Sequence, residues 1–169
     1  QKNDEVSRLV MSGNFLHKHA NQTHTQIYEM IGRSKSTIMV IGYWVHDMQD
    51  FFKELDTLSK NIKITFILND KKIKEHAFRI RKNWNGKFRP EIYYLNRAKY
   101  PDINKLHSKV LLIDNSEILI TSANMTKTAM VKSIETGVWT KDKKIINACQ
   151  DIFSKFIKDS VFVPVEETY

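Results

Sequence analysis

Leu106-His107-Ser108-Lys109-Val110-Leu111-Leu112-Ile113-Asp114, followed by Thr121-Ser122-Ala123-Asn124, decides how this chain folds and where its chemistry sits. His107 and Lys109 are two residues apart, so in a strand their side chains leave from one face. Val110, Leu112 and Asp114 then take the opposite face. Asn115-Ser116 is a two-residue polar break of hairpin type. The next run, Glu117 to Ser122, is apolar and β-prone and is expected to return antiparallel beside the first strand. That return carries Ser122 and Asn124 back to the end of the hairpin where His107 stands. A histidine, a lysine and an asparagine are thereby aimed at one phosphate, and the chemistry this suggests is attack on a phosphodiester.

The spacing is H-x-K, four residues, D, six residues, then Thr121-Ser122-x-Asn124. It resembles the signature of the phospholipase D superfamily, which most often has glycine where this chain has Thr121. The stretch from Thr121 to Thr126, continuing to Glu135-Thr136-Gly137-Val138, is most similar to phospholipase-D-like nucleases of bacterial anti-phage defence and restriction. The resemblance implies roles for the residues. His107 of one subunit attacks phosphorus to form a phosphohistidine, and His107 of a second copy protonates the leaving oxygen and then activates water. Lys109 and Asn124 hold the non-bridging oxygens, and Ser122 supports that cradle. Glu135 orients the histidine, although Ser133 stands where the family usually has asparagine. Asp114 belongs to the signature, but strand geometry points it away from Lys109. We expect it to serve in strand or loop hydrogen bonds. No metal and no cofactor is needed in this scheme.

Only one such motif is present. His17-Lys18-His19 and His24 lack the following strand pair, so the resemblance implies a C2 homodimer with the active site on the two-fold axis. His17, His19 and His24 with Asp4 and Glu5 have no standard ligand spacing, and we expect no metal site there. There is no phosphate-binding loop or dinucleotide fingerprint, so no nucleotide-driven function is indicated.

The chain has 169 residues, enough for one domain with a sizeable core. Its 27 Lys+Arg against 19 Asp+Glu leave a formal charge of +8, which favours a polyanionic partner, nucleic acid ahead of a membrane surface. The single cysteine, Cys149, excludes an intrachain disulfide and reads as a small buried hydrophobe. No run approaches a membrane span, no membrane partner is expected, and a cytoplasmic location is the expectation. A chain opening on Gln1 reads as trimmed or processed, which leaves a lost leader as an open alternative.

Helix and strand patterns alternate along the chain. Helices are expected over Thr25 to Arg33, from an Asp47 cap through Met48, Phe51, Phe52, Leu55 and Leu58, and from Ile73 through Trp84 to Asn85-Gly86. The last runs from Asp142 to Lys158, with Ile145, Cys149, Ile152 and Phe156 on one stripe and Ile146, Phe153 and Ile157 beside it. Strands are expected over Thr37 to Trp44, Ile62 to Leu68, Pro90 to Leu95, the motif hairpin, and Ser133 to Thr140. The fold class is α/β, a mixed sheet with helices on both faces. One domain over residues 1–169, with its core at about 22–160, corresponds to one phospholipase-D-like half. Trp44, Trp84 and Trp139 read as core anchors.

A candidate surface for tracking a nucleic-acid backbone is Lys71, Lys72 and Lys74, continuing through Arg79, Arg81, Lys82, Lys87 and Arg89, with Arg97, Lys99 and Lys105 ahead of the motif. A merely solvated helix face is the competing reading. Tyr93, Tyr94 and Tyr100 suit base stacking, though tyrosines in strands more often pack. The resulting expectation is a metal-independent endonuclease acting on DNA before RNA, possessing a homodimeric site and open to a partner in a defence complex. The alternatives are a phospholipase or phosphatidyltransferase, and a non-catalytic nucleic-acid-binding module.

Overall fold

Three β-branched, apolar runs, Thr37–Gly42, Lys63–Leu68 and Val110–Ile113, form the centre of the fold, because strands covered on both faces lose the alternation of half-exposed ones. The computed structural model describes residues 5–13, 21–43, 45–46, 49–58, 61–82, 84–85 and 89–166. His17, His19, Trp44, Asp47, Met48, Gly86 and Lys87 fall outside these. In chain order the elements are β1 (Ser7–Ser12), β2 (Asn21–Gln22), α1 (Thr23–Arg33), β3 (Thr37–Gly42), β4 (Val45–His46), α2 (Gln49–Leu58), β5 (Lys63–Leu68) and α3 (Ile73–Lys82). There follow β6 (Glu91–Leu95), β7 (Val110–Ile113), β8 (Glu117–Thr121), β9 (Met125–Thr126), α4 (Lys127–Val131), β10 (Glu135–Thr140), α5 (Lys143–Lys158) and β11 (Phe162–Pro164).

Among the described residues nine strands make one sheet in the order β11-β6-β5-β3-β7-β8-β10-β1-β2. β3, β5 and β6 are parallel, β7 runs against β3, and β8, β10 and β1 alternate direction. The sheet is therefore mixed, with helices on both faces, as the sequence pattern implies. On one face Val40, Phe66, Leu111 and Leu119 pack with Ile27 and Met30 of α1, Phe51 and Leu55 of α2, and Ile80 of α3. On the other, Ile41, Ile67, Val110, Leu112 and Ile118 meet Ile146 and Phe153 of α5.

Three expectations are corrected. β7 begins at Val110, so His107 and Lys109 sit in the chain just ahead of the strand rather than within it. The hairpin turns one residue earlier than expected: Asp114 and Asn115 hold φ of 51° and 50°, and Ser116 N–H bonds Ile113 O at 2.8 Å. Asp and Asn tolerate the left-handed conformation better than Ser, which explains the shift. On α5 the stripe through Ile146 and Phe153 is the buried one, while Ile145 and Ile152 remain 43% and 50% exposed. The short strands β1, β2, β4, β9 and β11, and α4, were not legible as elements. Glu117, buried at the far end of β8, is held by the Arg33 guanidinium at 3.1 and 2.8 Å and by Trp139 Nε1 at 2.7 Å.

Candidate active site

Strand direction gathers one edge of the sheet into a site. Ile41 pairs with Val110, Val110 with Ile120, Thr121 with Gly137, and Ser12 with Glu135. The carboxyl ends of β3, β5 and β6 therefore lie at the same edge as the start of β7, the end of β8 and the start of β10. Ligands in open α/β sheets bind at the carboxyl ends of the parallel strands. His107, Lys109, Ser122, Asn124 and Glu135 all stand at this edge.

The hairpin ladder continues one step past the strands. Thr121 N–H donates to Lys109 O at 3.1 Å, and Ser122 N–H to Thr136 O at 3.0 Å. Lys109 is buried, and its ammonium donates to His107 O at 2.8 Å while lying 3.1 Å from each ring nitrogen of His107. Only the unprotonated ring nitrogen accepts from it. The His107 ring meets Tyr43 edge-on, centroids 5.5 Å apart. Partial loss of water around the ring, then the Lys109 and Lys105 ammonium groups, hold the His107 pKa below its ordinary value. That shift favours the uncharged ring at neutral pH, whose one ring lone pair faces the Lys109 ammonium. Burial lowers the Lys109 pKa as well; Glu135 opposes that shift and Lys105 adds to it.

Ser122 Oγ donates to the Glu135 carboxylate and accepts the Thr136 N–H at 3.1 Å. Among the described hydrogen bonds Glu135 thus serves Ser122 rather than the His107 ring. Asn124 is half-buried, and its Oδ1 has no partner among the described residues. A buried amide with spare capacity is a group held ready for a ligand or a strained one. Thr121, in place of the usual glycine, uses its hydroxyl to accept the Ala123 N–H at 3.1 Å. Its partner across the ladder is Gly137, where a Cβ would stand 2.6 Å from Ile120 O and 2.7 Å from Thr121 Cβ.

Asp114 is not part of this group. It lies at the other end of β7, where its carboxylate accepts the N–H groups of Lys35, Ser36 and Thr37 at 2.6, 2.8 and 2.8 Å and the Ser36 hydroxyl at 2.9 Å. Burial pushes its pKa up, but those donors together outweigh burial and hold it below the ordinary value. Asp114 locks the hairpin turn to the start of β3.

The basic residues divide. Lys71 and Lys72 follow β5, Lys74 opens α3, Arg97 and Lys99 follow β6, and Lys105 precedes the motif, so all six lie at the edge that carries His107. Lys71, Lys74 and Lys105 are exposed. Arg97 is held by Asp70 at 2.8 Å, Lys72 faces Glu75 at 3.9 Å, and Lys99 donates to Asp159 O at 3.0 Å. Tyr100 also packs, its hydroxyl donating to Asp159 O at 3.0 Å. Two residues at the site escaped the sequence reading. One is Tyr43. The other is Asn69, whose signal was an amide directly after a buried strand.

Beside the site, the half of the sheet that α5 leaves open carries Leu9, Val138 and Ile120 in register across β1, β10 and β8, exposed by 44%, 46% and 44%. Among the described residues no helix is long and apolar enough to cross a membrane. No group of three or more His, Cys, Asp or Glu there could hold a metal.

Residues 27–157 match the family described as cardiolipin synthase, PLD-like domain, and the chain belongs to that family. It is 25% identical over 145 residues to DISARM protein DrmC of Bacillus paralicheniformis, covering 83% of this chain and 58% of that relative's length. Its fold is similar to that of Nuc from Salmonella typhimurium, a phospholipase D family member (TM-score 0.72, 15% identity, 95% of this chain and 98% of that one). NucT from Helicobacter pylori is also similar (TM-score 0.65, 17% identity, 94% and 99%).

Proposed function

We propose that the chain is a metal-independent phosphodiesterase that cleaves nucleic acid, DNA in preference to RNA, through His107. The observation that carries this reading is the His107 ring held 3.1 Å from the buried Lys109 ammonium, at an edge shared with Asn124, Ser122 and Glu135. In the first step a His107 ring nitrogen attacks phosphorus and the P–O bond to the leaving strand breaks. The partner subunit's His107, which takes up a proton from solvent as the substrate's negative charge enters the site, gives that proton to the leaving oxygen. In the second step the same histidine takes a proton from water, the water oxygen attacks phosphorus, and the P–N bond breaks to restore His107. Lys109 and Asn124 from both subunits hold the non-bridging oxygens as charge builds on them.

One chain supplies a single such histidine, so this reading requires a second copy. We assign that copy to the open sheet face, where Leu9, Val138 and Ile120 form an apolar row beginning two residues from Ser122. The basic rim of Lys71, Lys74 and Lys105 supports a polyanionic substrate. The similarity to DISARM protein DrmC supports work beside partner proteins of a defence system. The test is incubation with labelled single-stranded DNA, duplex DNA and RNA in excess EDTA, with His107→Ala alongside. Cleavage by the wild type alone supports the reading; cleavage by the variant, or none of any substrate by the wild type, contradicts it.

A further inference from the structure

The segment that delivers His107 is long and irregular: residues 96–109 connect β6 to β7 without regular structure beyond turns. Two consecutive residues at the carboxyl end of β5 fasten it at both ends. Asp70 Oδ2 pairs with Arg97 Nε at 2.8 Å, and Asn69 Oδ1 accepts the Leu106 N–H at 2.9 Å. The second bond is the tighter constraint. Asn69 is 1% exposed, Leu106 is 7% exposed, and Leu106 is the residue directly before His107. The following bond, Thr121 N–H to Lys109 O, lies on the far side of His107. The backbone on either side of the histidine is thus tied down, by the Asn69 side chain just after β5 and by the Thr121 N–H of β8.

We propose that Asn69 is a positioning residue for His107: its side chain fixes the backbone from which the imidazole is presented. The inference rests on the proposed role of His107. A side-chain amide suits this position because the Leu106 N–H is buried outside any strand ladder and needs an acceptor. An apolar residue would leave that donor unpaired and let the chain move. A displacement of about 1 Å at a reacting group can cost roughly a hundredfold in rate. Loosening the segment also takes the ring away from the Lys109 ammonium.

The test compares Asn69→Ala and Asn69→Asp with wild type by two independent readouts. The first is the pKa of His107 from NMR titration of its ring, with His107→Ala used to assign the resonance; it needs no substrate. The second is steady-state cleavage in EDTA. In folded Asn69→Ala, the His107 pKa should rise toward the ordinary value. Its kcat should fall about 10- to 100-fold, with KM changed less than threefold. Asn69→Asp keeps the acceptor and should recover most of the kcat. If Asn69→Ala does not fold, Asn69→Ser replaces it, since its oxygen is one bond too short to reach. An unchanged His107 pKa and kcat in a folded Ala or Ser variant overturns the proposal. If wild type cleaves nothing, the proposed function fails, and the titration still decides the role of Asn69.

Discussion

The Lys109 ammonium lies 3.1 Å from both ring nitrogens of His107 and 2.8 Å from the carbonyl oxygen of the same residue. Partial desolvation of the ring, with this contact adding to it, holds the His107 pKa below its ordinary value, and the ammonium stands where phosphate oxygens would arrive in the proposed reaction. Lys109→Met keeps the buried stem and removes the charge. It should raise the His107 pKa and slow single-turnover cleavage by about 10²- to 10³-fold. A ring titration and a rapid-quench assay check the two effects, and unchanged turnover would remove Lys109 from the mechanism.

The pH profile follows from the same shift. In the proposed reaction His107 attacks only when neutral, and its pKa lies below the ordinary imidazole value. The acidic limb of kcat/KM should therefore inflect below about pH 6.5, the ordinary value for imidazole. Lys109→Met should move it upward. An inflection above 7 in the wild type is the contrary result.

Asp114 should affect stability and leave chemistry alone. Its pKa is lower folded than unfolded, so its contribution is present above the unfolded value of about 3.9 and fades as pH falls through the folded one. Asp114→Asn tolerates the left-handed turn but loses charge-assisted bonds. It should destabilise the chain by about 2–3 kcal/mol at pH 7, with the difference shrinking near pH 3. Denaturant melts at the two pH values, with kcat per folded molecule near wild type, would bear this out. A kcat loss without a stability loss would restore Asp114 to the site.

Gly137 and Thr121 should behave as a coupled pair. Gly137→Ala drives a methyl group against Ile120 O and the Thr121 side chain, at a cost of about 2–3 kcal/mol. Thr121→Gly should cost about 1 kcal/mol less in that chain than in the wild type, because there it also removes the side-chain clash and leaves only the backbone one. A double-mutant cycle in denaturant measures the coupling, and strict additivity would show the two residues to be independent.

The assembly prediction uses the open sheet face. Val138→Glu places a charge in the middle of the Leu9, Val138 and Ile120 row and should convert a sedimenting dimer to monomer. Activity should drop at least tenfold, because each site would lack its second histidine. The monomer should retain its circular dichroism, as Val138 is 46% exposed. A fully active monomer would refute the shared site.

Much of this arrangement was legible because it depends on short-range rules. The run from Val110 to Ile113 read as a strand, and the return through Ile118 and Leu119 followed from the turn. That antiparallel return also brings Ser122 and Asn124 to the sheet edge that carries His107. Where side chains bond over long sequence separations, the sequence was silent. Asn69 reaches Leu106 and Asp114 reaches Lys35 to Thr37, and neither contact has a local pattern. β9 has two residues, too few for periodicity to register, and β1 depends on β10 for its place. The two stripes of α5 were equally apolar. Which one faces the sheet is set by packing, and the exposure of Ile145 and Ile152 emerged only with the fold.

Trapping the covalent intermediate tests the proposed role of His107 as nucleophile. Wild-type protein is mixed with a DNA substrate in EDTA, quenched in denaturant during turnover, and digested for mass spectrometry. The expected product is a nucleotide joined through phosphorus to His107, stable to alkali and labile to acid, and absent from His107→Ala. Efficient cleavage with no adduct on His107, or an adduct persisting in the variant, would contradict it.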